Sequence, residues 1–351
     1  MTRINVPASK QYYVIVCNNV LNDAGLHLQQ VLTPSCKIAI ISDSHVWPLY
    51  GDKVQNSLEL TGFQVVNYVF PAGETSKNAT NYLEILNFLA QNQITRSDAI
   101  VALGGGVVGD IAGFSAATYL RGIAYVQIPT TLLAMVDSSI GGKTAIDLPV
   151  GKNLVGAFYQ PDLVLCDPEV LTTLPHDIFT DGCAEVIKYG MLYDAALFDH
   201  LMNNGSAFDR EKVIIRCIEL KRDTVCADEF DTGLRQKLNL GHTIGHSIET
   251  LSNYMISHGQ AVSTGMAIVT KAAAARNLCE RAVLSDLLTV LDKFKLPTVT
   301  EYSDQQLFTC ALSDKKRAGS SLNLIVPRAI GYCEIIPTPV DMLKSFIQDG
   351  L

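Results

Sequence analysis

Residues 98–119 constrain the fold of this chain more than any other stretch. Asp98-Ala-Ile-Val-Ala-Leu103 is an apolar run of β type that passes straight into Gly104-Gly105-Gly106-Val107-Val108-Gly109-Asp110, and Ile111 to Tyr119 continues with helix-compatible residues. A strand with no polar alternation is buried on both faces, which requires a mostly parallel sheet with helices above and below it. The rest of the first half agrees. Val14 to Cys17, Ile38 to Ile41 and Val65 to Phe70 are short, apolar and β-rich, and Asn81 to Ala90 is apolar at 82, 83, 85, 86, 88 and 89, a helical spacing. Alternation of strand and helix reads as an α/β domain.

Gly104, Gly106 and Gly109 satisfy G-x-G-x-x-G between a strand and a helix, the context in which that spacing has a mechanism. Without Cβ atoms a pyrophosphate can approach the backbone, and the helix N-terminus offers N–H donors and a favourable dipole. In the usual dinucleotide fold the loop follows the first strand and an acidic residue follows the loop. Here the loop comes after several strands and the best acidic candidate, Asp43, precedes it. The stretch is a dinucleotide site of variant topology, or a tight turn with no ligand.

From about Pro175 the pattern changes to helical periodicity, over 179–192, 209–226, 238–251, 260–278, 285–296 and 304–312, with an apolar pair of segments at 322–326 and 332–336 that suits a small hairpin. The expected organisation is an α/β domain over 1–174 followed by a mostly α-helical domain over 175–351, a size that fits 351 residues at ~150 per domain. There is no internal repeat.

Charge and cysteine usage exclude several functions. Residues 1–175 carry 9 basic and 13 acidic residues and 176–351 carry 18 and 22, so each half nets −4 and neither presents the basic face that nucleic acid requires. The 9 cysteines are scattered, odd in number and contain no C-x-x-C pair. That argues against a disulfide framework or zinc knuckle and for the cytoplasm. No apolar run approaches the ~20 residues that span a bilayer, and Met1 to Lys10 lacks the layout of a secretory signal.

Two further clusters carry chemistry. Pro129-Thr130-Thr131, Asp137 to Thr144 and Gly151-Lys152-Asn153 gather hydroxyls, glycines and lysines, but a P-loop is excluded because Asp137 stands where its first glycine belongs. In Asn239-Leu-Gly-His242-Thr-Ile-Gly-His246-Ser-Ile-Glu249, spacing of i, i+4 and i+7 puts His242, His246 and Glu249 on one helical face, and His258 follows. A lone helical histidine is usually a packed or surface residue, whereas three within 17 positions can bind a zinc-like ion. Glu185 and Lys188 lie one turn apart in an apolar segment, as an intrahelical ion pair or, for Glu185, as the carboxylate of a His2Glu site. Lys221, Arg235, Asn239, Lys315 and Lys316 flank these elements.

Taken together, Gly104-Gly-Gly-x-x-Gly-Asp110, Tyr119-Leu-Arg-Gly122, the run Gln127 to Thr144, Gly151 to Pro161, Ala184-Glu-Val-Ile-Lys188 and Asn239 to Glu249 resemble 3-dehydroquinate synthase, in consistent order from about Asp43 to Lys316. The resemblance implies an N-terminal variant Rossmann-like dinucleotide-binding domain, a mostly α-helical metal-binding domain, and a lyase that makes 3-dehydroquinate and phosphate from a heptulosonate phosphate. It implies NAD, recycled rather than consumed, and a zinc or cobalt ion. By matching positions, Glu185, His242 and His258 resemble the metal ligands. Asp43, Glu74, Lys77, Gly104, Gly105, Gly106, Val107, Gly109, Asp110, Thr130, Thr131, Asp137, Lys143, Lys152 and Thr173 match dinucleotide-contacting positions. Lys152, Asn153, Lys188, Lys221, Arg235, Asn239, His246, Asp137 and Lys315 match positions that bind substrate or support catalysis. Arg121 matches one near the interface of a homodimer that helps hold the substrate phosphate. The chain departs from the family pattern at Phe230, where Arg is usual, and at Asp231 and Gln260, where Glu is usual. Gln260 carries no charge, which weakens a carboxylate role behind the metal there. The alternatives are a metal-dependent polyol dehydrogenase of the glycerol type, which needs no charged substrate clamp, and another sugar-phosphate cyclase.

Overall fold

The computed structural model describes residues 1–315 and 321–351, the side chains of 313–315 excepted. The chain divides into two compact units, Met1–Leu174 with Arg210–Phe230, and Pro175–Asp209 with Asp231–Leu351.

The first unit is built on seven strands: β1 (Thr2–Pro7), β2 (Gln11–Val16), β3 (Lys37–Asp43), β4 (Gln64–Phe70), β5 (Ala99–Gly104), β6 (Ala124–Pro129) and, after the separate hairpin β7 (Lys143–Leu148) and β8 (Gly151–Phe158), β9 (Leu163–Cys166). Their order is β1-β2-β9-β6-β5-β3-β4. Every neighbouring pair is parallel except the β1–β2 edge. The fully buried β5 lies between β3 and β6. Four helices accompany these strands: α1 (Ala24–Leu28), α2 (Trp47–Leu60), α3 (Ala79–Gln91) and α4 (Gly106–Thr118). On one face Ile100 and Ala102 of β5 pack with Ile85 and Leu89 of α3 and Ile111, Ala112 and Phe114 of α4. Each large apolar side chain buried this way contributes about 1.5–3 kcal/mol. The helix anticipated from Ile111 starts earlier, at Gly106, so the glycine loop forms its first turn. β1 and the β7–β8 hairpin carry no signal recognised in the sequence: β8 reads GKNLVGAF and is half-exposed throughout.

The second unit opens with α5 (His176–Tyr193) and α6 (Ala195–Asn204). The chain then leaves it for α7 (Arg210–Ala227) and returns for α8 (His242–Leu251), α9 (His258–Ala275), α10 (Arg281–Lys293), α11 (Asp304–Lys315), the hairpin β10 (Ser321–Ala329) and β11 (Tyr332–Pro339), and α12 (Val340–Gly350). The largely buried α9 is the core of this unit, contacted by α5, α8, α10 and α12.

The sequence assigns all of 175–351 to the second domain, and α7 corrects this. It packs on a π-helical turn at Ala134–Ser138 and on β1, both in the first unit. Lys221 of α7 pairs with Asp137 at 2.7 Å, and Glu229 just beyond it accepts from the Ser9 hydroxyl at 2.6 Å. Helical periodicity reveals that α7 has a buried face but not what that face packs against.

Candidate active site

In the second unit three donors converge from three helices. Glu185 is on α5, and His242 and His258 are the first residues of α8 and α9. Glycine lets α8 and α9 approach closely enough. Gly241 has φ of +77°, and a Cβ at Gly265 would lie 2.0 Å from the Gly241 carbonyl oxygen. Glu185 Oε1 lies 3.5 Å from His242 Nε2 and 3.2 Å from His258 Nε2, and one ligand atom from each of the three residues falls within 4.8 Å of the others.

The electrostatics suit a cation. His242 Nδ1 faces the Leu240 carbonyl at 3.0 Å, so its proton belongs there and the Nε2 lone pair points to Glu185. Burial, reinforced by the Lys188 ammonium, drives His242 well below its ordinary pKa, which keeps the ring neutral as a ligand must be. Burial also disfavours charge on His258, but hydrogen bonds to Glu185 and Glu249 outweigh it and push that ring up to about 10. Such a pull for positive charge is what a metal ion would satisfy. One carboxylate and two imidazoles form the donor set of a catalytic zinc-type site with a position left open.

Further polar groups lie on α5, on α8 and on the turn that precedes α8. Lys188 is buried and ion-paired with Glu185, and Arg235 is buried in the 3-10 turn Leu234–Asn239, which ends on exposed Asn239. The His246 ring lies 5.3 Å from that of His242 and 6.2 Å from that of His258. Glu249 turns inward, its Oε2 3.4 Å from His258 Nδ1. The helical face read from the sequence is therefore present, but only His242 of its three residues joins Glu185. Lys315 falls outside the described side chains and Lys316 outside the described residues. Gln260 is exposed, and its backbone N–H donates to Asp181 at 3.1 Å. Asp181 has no signal in the sequence beyond lying one turn before Glu185.

In the first unit Asp43, the glycine loop, Thr130 and Thr131 lie at the carboxyl ends of β3, β5 and β6, where open α/β sheets bind ligands, whereas Glu74 and Lys77 follow β4, Lys143 and Lys152 lie on the β7–β8 hairpin and Thr173 follows the turn after β9. Asp43 ends β3, Gly104 ends β5 opposite Pro129 of β6, and the Thr130 N–H donates to the Gly104 carbonyl at 3.0 Å. The Thr130 hydroxyl is buried with no hydrogen-bond partner, as a ligand-facing group would be. The first turn of α4 presents its N–H groups beside Gly105 and Gly106, a ready anion site. Buried Lys77 lies 2.5 Å from Asp110, 3.9 Å from Glu74 and 2.5 Å from the Asn153 Oδ1. Burial opposes its charge, but Asp110 and Glu74 outweigh burial and raise its pKa. Lys152 reaches Glu74 at 3.6 Å. Asp43 Oδ1 accepts the N–H groups of His45 and Val46 at 2.8 and 2.9 Å. The Thr131 hydroxyl accepts from Ala134 N–H at 3.2 Å, and Thr173 bonds to the Tyr50 hydroxyl. Arg121 and Lys143 are exposed.

Known proteins share this architecture. A crystal structure of a 2-deoxy-scyllo-inosose synthase complexed with carbaglucose-6-phosphate, NAD+ and Co2+ matches with a TM-score of 0.88 at 26% identity over 100% of both chains. A 2-epi-5-epi-valiolone synthase from Streptomyces hygroscopicus subsp. jinggangensis, with NAD+ and Zn2+ bound, matches with a TM-score of 0.88 at 27% identity over 99% of this chain and 98% of its own. Fold and site thus define a sugar-phosphate cyclase. Family models narrow the class: 3-dehydroquinate synthase N-terminal matches residues 67–181 and 3-dehydroquinate synthase C-terminal residues 182–317. A 3-dehydroquinate synthase of Streptococcus gordonii is 42% identical over 352 aligned positions, covering 98% of this chain and 99% of its own. The chain belongs to the 3-dehydroquinate synthase family, and its reaction is the family's conversion of 3-deoxy-D-arabino-heptulosonate 7-phosphate to 3-dehydroquinate and inorganic phosphate.

Proposed function

We propose that Glu185, His242 and His258 hold a divalent zinc or cobalt ion. NAD is held by Asp43, Glu74, Lys77, the Gly104–Asp110 loop, Thr130, Thr131, Asp137, Lys143, Lys152 and Thr173. The observation that carries the reading is the convergence of one carboxylate and two imidazole donors within 4.8 Å. When bound, NAD supplies transient oxidation of a secondary alcohol, which makes the neighbouring C–H acidic, and the metal supplies Lewis-acid stabilisation of the oxygens it holds.

The chain's own part is to bind and orient a substrate with a carboxylate at one end and a phosphate at the other. Lys152, Asn153, Lys188, Lys221, Arg235, Asn239, His246 and Arg121 are proposed for this work. Arg235 offers a planar fork of donors that suits either anion in two-point contact. Lys188 and Lys221 are kept in place by Glu185 and Asp137, so little side-chain freedom remains to be lost when substrate arrives. His242 stays neutral, so it adds no charge that would repel a cation.

The protein is further proposed to act as a homodimer in the cytoplasm. All nine cysteines are free, as a reducing compartment requires, and among the described residues no helix is long and apolar enough to cross a membrane. An exposed Arg121 is available for sharing between subunits. Mixing Arg121→Ala with His242→Ala protein should then restore activity, and no recovery would remove the shared site.

The test of the reaction is phosphate release from the heptulosonate phosphate with NAD far below the substrate concentration. Many turnovers per NAD, abolished by a chelator and restored by zinc or cobalt, are expected. NADH building up in proportion to product would refute a recycled cofactor and favour a dehydrogenase.

A further inference from the structure

We propose that Asp181 is a positioning residue for the metal ligand His258. The proposal rests on the metal reading of Glu185, His242 and His258. Asp181 and Glu185 are four residues apart on α5, so both face the same neighbour. That neighbour is the start of α9. Asp181 Oδ1 accepts the Ser257 hydroxyl at 2.5 Å and the Gln260 N–H at 3.1 Å, and its carboxylate also takes the Gly259 N–H. Ser257 makes no side-chain cap of its own on α9. Instead a carboxylate from another helix accepts the donors that a helix N-terminus leaves open, and its charge complements the dipole there.

The fit is close. A Cβ at Gly259 would lie 2.0 Å from the Asp181 carbonyl oxygen and 2.7 Å from its Oδ1, so only glycine lets the chain rest on α5 at this point. His258 sits between Ser257 on one side and Gly259 and Gln260 on the other, and all three are tied to Asp181. One turn further along α5, Glu185 takes the His258 ring at 3.2 Å. Two carboxylates on one helix thus hold the residues that flank His258 and the His258 ring itself. The negative charge that Gln260 cannot supply at this end of α9 comes from Asp181.

Removal of a group that orients a metal ligand typically weakens metal binding about 10- to 100-fold. The experiment measures zinc affinity of the metal-stripped protein by competition with a chromophoric chelator, and records the absorption spectrum of the cobalt-loaded protein. Asp181→Ala should bind zinc about 10- to 100-fold more weakly and shift the cobalt bands. Asp181→Asn, which keeps an acceptor oxygen, should recover most of the affinity. In a His258→Ala background Asp181→Ala should cost nothing further, because its effect passes through His258. An equal loss with and without His258 would overturn the proposal, as would unchanged affinity and bands in Asp181→Ala. If Asp181→Ala does not fold, Ser257→Ala removes one of the three bonds and must show a smaller loss that again depends on His258. The two readings separate: zinc bound equally well by wild type and His258→Ala would defeat the metal site, whereas loss in His258→Ala with none in the Asp181 variants would defeat only the role of Asp181.

Discussion

Replacing Lys188 by Met tests whether the charges at this site are tuned for a metal. Lys188 and Glu185 form an ion pair in which each side chain is only 1% exposed. Had the pair been on the surface, solvent screening would leave it worth about 0–1 kcal/mol and its loss would pass unnoticed. Burial changes the outcome, because removing Lys188 takes one of its cationic partners from a desolvated carboxylate and leaves it the His258 ring, at a cost of about 3–5 kcal/mol. For a unit of this size about 2–4 °C accompanies each kcal/mol, so the metal-free variant should melt about 6–20 °C below the metal-free wild type. Urea titration should show a lower midpoint with an unchanged slope. Two controls fix the cause. Adding Glu185→Gln to Lys188→Met should recover most of the loss in the metal-free protein, since the desolvated carboxylate is then gone. Saturating zinc should narrow the gap between Lys188→Met and wild type, because the cation takes over compensation of Glu185. A loss under about 1 kcal/mol, or a double variant no better than the single, would refute this reasoning.

Asp98 provides a pH-dependent test: burial works to raise its carboxyl, but hydrogen bonds from the Lys37 and Thr95 N–H groups and the Thr95 hydroxyl outweigh burial and lower it. Its stabilisation is therefore complete above the unfolded value of about 3.9 and lost as pH falls through the lower folded value, so Asp98→Asn should cost about 1–3 kcal/mol at neutral pH, with a gap to wild type that closes below about pH 4 in denaturant titrations. Gly265→Ala should force α8 from α9 at the Gly241 carbonyl, lowering melting temperature and zinc content together; unchanged zinc content would show that the seam does not set the site. Glu185→Gln should lose zinc by elemental analysis, whereas Glu249→Gln should retain it with weaker affinity, and the reverse order would reassign the ligands.

The parts of the fold legible in the sequence are those whose burial is complete. Ala99–Gly104 is apolar without interruption because it is an interior strand of a mostly parallel sheet, covered on both faces. The β7–β8 hairpin left no such trace, since β8 is half-exposed along its length and has no buried face to impose a pattern. Partnership was equally hidden: α7 shows helical period, but nothing local says that Lys221 meets Asp137, 84 residues away in sequence. Asp181 escaped for the same reason, as its contacts are to a turn 76 residues further on.

The helical face formed by His242, His246 and Glu249 shows how a correct pattern can point to an incomplete site. Two donor groups share His258, one with Glu185 and His242 and one with His246 and Glu249. A neutral imidazole has one lone pair, so His258 can serve only one group as ligand while its other nitrogen donates a proton. Coordination through Nε2 leaves the Nδ1 proton facing Glu249 at 3.4 Å, the usual arrangement of a carboxylate behind a ligating histidine. Coordination through Nδ1 would aim a proton at Glu185, whose charge is already shared with Lys188. His242 decides between them: its Nδ1 proton goes to the Leu240 carbonyl, so its lone pair also points toward Glu185. In the proposed metal site both imidazole lone pairs and the carboxylate then meet on the Glu185 side, which leaves Glu249 to orient rather than to bind. Helical spacing placed these residues on one face correctly, but their division into ligand and support is set by proton positions that depend on a backbone carbonyl and on α5.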